Sequence, residues 1–245
     1  MPANAFDVLI LIARPAAGKS EIIHYLRDTP VEERMRRFHI GAFTEIDDFP
    51  MLWTWFEEDR LLETVFHQPR LHTTPDEYFK DDVLWHLLIE RISLDYAKLV
   101  RDYPDFHDKH TVLIEFSRGA ASGGYRKAFD YLSDDILRRA GVLYLDVTYE
   151  ESLRKNRARF NPDRPDSILQ HGLSDEKMET LYKEDDFADF SAGDPDWLSV
   201  RGIKVPYVVF DNHDDVTTGM GEALGERLEA RLGRLWEGYQ AARGG

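Results

Sequence analysis

The sequence predicts a three-layer α/β/α fold around a five-stranded parallel sheet, and three observations carry that prediction. Apolar, β-branched runs recur at "FDVLILIA" (6–13), "TVLIEF" (111–116), "GVLYLDV" (141–147) and "KVPYVVFD" (204–211). They lack the alternation of a sheet with one wet face, so each reads as a strand covered on both sides. Helical patterns stand between them, as the crossovers of a parallel sheet require. The 245 residues, 42% of them hydrophobic, contain no internal repeat or low-complexity tract and are enough for one large core, giving a single domain over 1–245.

In chain order, the first strand runs through a Gly-Lys-Ser turn into the helical pattern "KSEIIHYLRD" (19–28), and "RFHIGAFTEID" (37–47) supplies the fifth strand. Residues 48–80, with Trp53, Trp55 and Phe56 close together, exceed what a minimal α/β unit needs. They follow a strand, where such proteins place substrate-binding insertions, and are expected to form a helical substrate cap. A long helix (82–103) leads to the strand at 111–116, and "EESLRKNRARF" (150–160) reads as the helix after the strand at 141–147. Residues 150–200 are otherwise polar, acidic and Pro-punctuated, and are expected to form a mobile lid. "GEALGERLEARLGRLWEGYQAAR" (221–243) is the last helix.

Cysteine is absent, which removes disulfides, Cys-ligated zinc, iron–sulfur clusters and thiol nucleophiles. Asp and Glu total 46 against 31 Lys and Arg, for a net charge of -15, a balance that repels nucleic acid. The apolar run near the start is interrupted by Asp7 and falls short of the roughly 20 residues of a membrane span. It also lacks the basic leader and cleavage site of a signal peptide. A soluble, cytoplasmic protein with no membrane partner is expected.

The chemistry-bearing stretch is "ARPAAGKS" (13–20), which places a small residue, four of any kind, then Gly-Lys-Ser between a strand and a helix. In such a loop, Ala13, Arg14, Pro15, Ala16, Ala17 and Gly18 wrap the β-phosphate with backbone N–H groups and the positive end of the helix. Gly18 lets the backbone approach, Lys19 balances β/γ charge, and the Ser20 hydroxyl ligates Mg²⁺. The alternative is a plain strand–turn–helix junction with an exposed lysine. On these residues the chain resembles the P-loop kinases, a branch of the P-loop NTPases (Walker A proteins) that accepts Ala or Gly at the first loop position. The resemblance implies ATP and Mg²⁺ as cofactors, with a cap and a lid over the sheet.

Three further constellations gain a role from that resemblance. "FTEIDDFPML" carries Glu45, Asp47 and Asp48, and an acceptor hydroxyl needs a carboxylate to orient it and take its proton. "IDDF" is similar to the acidic run of nucleoside-kinase-like members. This implies Asp47 as base or metal-side acid, with Asp48 either a substrate contact or a helix cap. "TVLIEFSRG" sets Glu115 beside Ser117 and Arg118. In a phosphate-loop fold its strand adjoins the first, so Glu115 is expected at the metal or the substrate and Arg118 on a polar or anionic group, with a buried Glu115–Arg118 pair as the alternative. Arg154, Lys155, Arg157 and Arg159 form a cationic run only partly explained by i,i+4 pairs with Glu150 and Glu151. Kinase lids resemble it, which implies Arg157 and Arg154 first as clamps on the transferring phosphoryl. By the same resemblance Asn212, at the end of the last strand, is the base-contact candidate, against a turn former. Trp53 is a candidate stacking surface for the acceptor.

The function implied is an ATP- and Mg²⁺-dependent phosphotransferase acting on the hydroxyl of a small, nucleoside-like metabolite. A P-loop ATPase or nucleotide-binding regulatory protein is one alternative. A nucleoside monophosphate kinase is another, for which the cap offers only Arg60 and Arg70.

Overall fold

β1 (Val8–Ala13) is buried along its whole length, with Val8, Ile10 and Ile12 in one core layer and Leu9, Leu11 and Ala13 in the other. Period-2 side-chain alternation with both faces apolar requires helices on both sides. The structure, a computed structural model, describes residues 4–159 and 173–243. After β1 come α1 (Lys19–Asp28), α2 (Val31–Phe38), β2 (Ala42–Asp47), α3 (Phe49–Thr64), α4 (Val83–Asp102), β3 (His110–Phe116), α5 (Gly124–Tyr131), α6 (Asp134–Arg139) and β4 (Ala140–Asp146). The remainder is α7 (Tyr149–Arg159), α8 (Asp175–Tyr182), α9 (Phe187–Ser191), β5 (Trp197–Val200), β6 (Ile203–Asp211), α10 (Val216–Gly219) and α11 (Glu222–Arg243).

The sheet order is β2-β3-β1-β4-β6-β5. The five expected strands are all present and mutually parallel, but the sheet has six. β5, inside the stretch expected to be lid, runs antiparallel to β6. A two-residue turn, Arg201 (φ 47) and Gly202 (φ 81), joins them, and positive φ at both positions matches the twist of a tight hairpin. Of the expected lid, residues 160–172 lie outside the described residues, and the rest folds as α7, α8, α9 and β5.

α4, α5 and α6 cover one face of the sheet through Ile89, Ile92, Tyr96, Tyr125, Phe129 and Ile136. α1 and α11 cover the other through Ile22, Leu26, Leu228, Leu232 and Leu235, whose spacing of three or four puts each set on one helix stripe. The neighbours of β1, β3 and β4, are reached by the chain in opposite directions, which opens a crevice at the carboxyl ends of the strands. This order sets the glycine-lysine-serine loop, between β1 and α1, at the head of that crevice. Among the described residues no helix is long and apolar enough to cross a membrane.

The cap (48–80) is α3 followed by an irregular return, closed by a bridge between Thr73 and Phe79. Trp55 is cap core: it stacks on His72 at 4.9 Å and joins Phe79, Trp85 and Leu88 over the head of α4. Asp59 is fully buried at the centre of the return. It accepts the amides of Leu71, His72 and Thr73 and the Thr73 hydroxyl at 2.6 to 2.9 Å. Burial opposes its ionised form, but these bonds outweigh burial and hold the carboxyl at about 2. A folded-state value below the unfolded one stabilises above the unfolded pKa, and the stabilisation is lost as pH falls through about 2. It amounts to about 2 kcal/mol. Asp59→Ala is therefore expected to cost about 3 kcal/mol at neutral pH by orphaning four donors, and to show a shallower loss of stability with acid than the parent. Thermal unfolding at pH 7 and pH 3 measures both.

Candidate active site

Ala13 ends β1 in register with Leu145 of β4, so the first motif position is still extended strand and takes a methyl group without strain. The turn comes later, where Ala16 (φ 55) and Gly18 (φ 112) enter the left-handed region. A Cβ on Gly18 would lie 2.5 Å from Thr217 Oγ1, so the position requires glycine. Ser152 Oγ donates to Pro15 O at 2.6 Å and Asn212 Nδ2 to Ala17 O at 2.9 Å, holding those carbonyls at the flanks of the loop. The head of α1, with Ser20 exposed at its second position, presents N–H groups and positive dipole charge suited to phosphate. The Arg14 side chain turns elsewhere. It donates to Val147 O (3.1 Å) and Tyr182 O (3.3 Å) and pairs with Asp185 at 2.8 Å, fastening the loop to the end of α8.

Lys19 Nζ donates to Ser117 Oγ at 2.7 Å, which brings the ammonium to the carboxyl ends of β2 and β3. Asp47 and Glu115 are register partners on these adjacent strands, and their side chains are hydrogen-bonded to each other. Burial drives Asp47 up to about 8, with Glu115 and Asp48 adding to the push, while the Phe49 amide and Lys19 oppose it. Glu115 is raised too, by burial first, against Lys19 and the bond from Asp47. Burial thus favours a protonated carboxyl in this pair. Lys19 is lowered by burial against the pull of Glu115 and Asp47, and Arg159 lowers it further. Glu115 Oε2 is buried without a hydrogen-bond partner among the described residues.

Beside this cluster the expected alternative, a Glu115–Arg118 pair, does not form. Arg118 is 2% exposed and lies against Asp48, with Nη1 2.6 Å from Oδ2. It also donates to Ser117 O at 2.7 Å and Trp85 O at 3.1 Å, and its guanidinium sits 5.2 Å from the Trp85 ring. Arg118 Nε is buried without a partner among the described residues. Asp48, at the first cap position of α3, makes no capping bond; the Phe49 amide is capped by Asp47 Oδ1 at 3.0 Å.

The cationic run divides differently from expectation. Arg157 binds Asp175 at 2.6 Å and Arg154 binds Glu151 at 2.6 Å and Asp215 at 3.2 Å, all at exposed positions. Lys155 is buried on Asp215 and Thr217. Arg159 is the member whose charge reaches Lys19. Asn212 is fully buried, with Nδ2 on Ala17 O and Thr217 Oγ1 and Oδ1 accepting the Thr217 amide, so it supports the loop and has no exposed atom for a base. Trp53 donates to Glu57 at 2.9 Å and stacks on Phe49. Arg70 is bonded inside the cap to Glu63, Thr73 and Thr74, and Arg60 lies 3.5 Å from Glu77. Ser117, Ser152 and Thr217 were not anticipated. Of these only Ser117 had a sequence signal, its place next to Arg118.

No family model matches the chain, and no curated protein matches it. Among solved structures the chain is similar to a gluconokinase from Sinorhizobium meliloti 1021, with 17% identity over 97% of this chain and 98% of that one and a TM-score of 0.45. A surface cleft of about 810 Å³ lies at the opposite end of the sheet around Asp7, Arg139 and Arg243. Both arginines are ion-paired with Asp7, and no buried side-chain polar atom lining the cleft lacks a partner among the described residues.

Proposed function

We propose that the chain is an ATP- and Mg²⁺-dependent phosphotransferase acting on a hydroxyl of a small, nucleoside-like metabolite. The observation that carries this reading is the meeting of Lys19, at the tip of a phosphate loop, with the adjacent carboxyls of Asp47 and Glu115, one step from the buried Asp48–Arg118 pair. An ATPase needs only the first half of that arrangement. The second half, under an aromatic cap, is suited to a polar acceptor: Arg118 Nε supplies an unused donor and Asp48 an acceptor.

In this reading the backbone of residues 13–20 wraps the β-phosphate and Lys19 balances charge on the β- and γ-oxygens. Asp47, in its ionised form, orients the acceptor's oxygen for in-line attack and takes its proton. Exposed Ser20 and the unpartnered Glu115 oxygen fit a hard cation shared with the triphosphate, and Mg²⁺ held there supplies charge neutralisation. Among the described residues no group of three or more His, Cys, Asp or Glu side chains could hold a metal ion.

In this reading Arg159, whose charge bears on Lys19, is the cation on the transferring phosphoryl, ahead of Arg157 and Arg154, which the resemblance puts first. Arg159→Ala is expected to lower kcat about a hundredfold with little change in the KM for ATP, whereas Arg157→Ala stays within about twofold. Steady-state kinetics separates the two. The function itself is tested by a panel of hydroxyl metabolites with ATP and Mg²⁺, scored for ADP and for phosphorylated product. ADP at the same rate with every panel member and with none would overturn the acceptor half of the proposal.

A further inference from the structure

α7 meets the phosphate loop along one stripe. Ser152, Lys155, Asn156 and Arg159 stand three or four residues apart and so on one side of the helix, and the first three are buried. Arg154 and Arg157 lie on the other side and are exposed. Along the stripe, Ser152 Oγ donates to Pro15 O at 2.6 Å. One turn later Lys155 Nζ donates to Thr217 Oγ1 at 3.1 Å and pairs with Asp215. Asn156 holds both main-chain groups of Leu173, at 2.7 and 3.0 Å. One further turn brings Arg159, whose charge reaches Lys19.

Thr217 is the piece between Lys155 and the loop. It is fully buried, and its hydroxyl oxygen stands 2.5 Å from where a Cβ on Gly18 would lie, so it seats directly on the loop. Asn212 Nδ2 donates at 2.9 Å both to that oxygen and to Ala17 O. A chain of contacts therefore runs from the loop through Asn212 and Thr217 to Lys155, and so to α7. Stability alone does not account for a lysine here. A buried ion pair is often no more stabilising than an apolar side chain of similar volume, because desolvation offsets its attraction. What the ammonium adds is direction: a hydroxyl and a carboxylate from the short segment 215–217 fix Nζ at one place, which an apolar side chain filling the same space would not.

We propose that Lys155 is a positioning residue for phosphoryl transfer, its bonds to Thr217 and Asp215 fixing α7 so that Arg159 faces the transferring group. The inference rests on the phosphotransfer reading and adds to it a link between the loop and the helix that carries Arg159. Lys155→Met keeps the apolar stem and removes the charge. The fold is expected to survive, because Asp215 keeps Arg154 and Thr218 as partners and Thr217 keeps Asn212. Steady-state kinetics with ATP, Mg²⁺ and the acceptor found by the panel is expected to show kcat lowered about thirtyfold and the KM for ATP within about twofold. Lys155→Met with Arg159→Ala is expected to fall no more than about threefold below Arg159→Ala alone, since a misplaced Arg159 is already lost. Asp215→Asn, which weakens the pair from the other side, is expected to give the same pattern. A general loss of folded enzyme would instead multiply the effect of Arg159→Ala. Product from the parent together with multiplying losses, or with a loss confined to the KM for ATP, would overturn this inference alone. A parent that phosphorylates no acceptor would overturn the phosphotransfer reading and this inference with it.

Discussion

Lys19→Ala is expected to lower kcat/KM for phosphoryl transfer about a thousandfold, close to 4 kcal/mol of transition-state stabilisation. The side chain is held by Ser117 at the carboxyl ends of β2 and β3, so its charge is positioned before any nucleotide arrives. Preorganised charge of this kind needs no rearrangement when negative charge moves onto the leaving and transferring oxygens. Lys19→Arg is expected to be nearly as inactive, because a planar guanidinium cannot occupy the place of a compact ammonium in that crowded site. Both variants should keep the circular dichroism of the parent, since the core layers on either face of β1 do not use Lys19. Activity within threefold of the parent in Lys19→Ala would remove the loop from the mechanism.

Asp47→Asn is expected to lower kcat about a hundredfold to a thousandfold while leaving the KM for ATP nearly unchanged. Asn is an isostere that cannot take a proton. It replaces a carboxyl that burial and Glu115 already hold largely neutral in the empty protein, so unfolding temperature should not fall at pH 7. Glu115→Gln separates the two acids. If Glu115 stands on the metal side, its loss raises the Mg²⁺ concentration needed for half-maximal rate, which Asp47→Asn does not. The reverse pattern would exchange the roles.

β1, the loop and α1 were legible because local signals agreed: an apolar run, a glycine where φ reaches 112 and an amphipathic start. The parallel sheet followed from the same doubly buried pattern. β5 was hidden in an acidic, Pro-containing stretch and depends on its pairing with β6, although the Arg201-Gly202 turn was a usable hairpin signal. Lys19, Asp47 and Glu115 were legible as neighbours, the pairing of the residues around them less so. Which of two consecutive acids caps α3 and which meets Arg118 depends on where β3 and α4 bring that arginine, a non-local fact. Likewise Arg154 and Arg157 find partners 61 and 18 residues away, at Asp215 and Asp175, which helix spacing alone does not reveal. Asn212 reads as a turn former and does open one, its carbonyl accepting the Asp215 amide, while its side chain is also the strut under Ala17.

The central claim is that a triphosphate bound at Lys19 gives up its γ-phosphoryl to a hydroxyl held near Asp47 and Arg118. Phosphorus NMR of the parent chain with ATP, Mg²⁺ and the acceptor found by the panel reads this directly. ADP and a phosphomonoester signal are expected to appear one for one, with both abolished in Lys19→Ala. ADP accompanied by inorganic phosphate alone would contradict it.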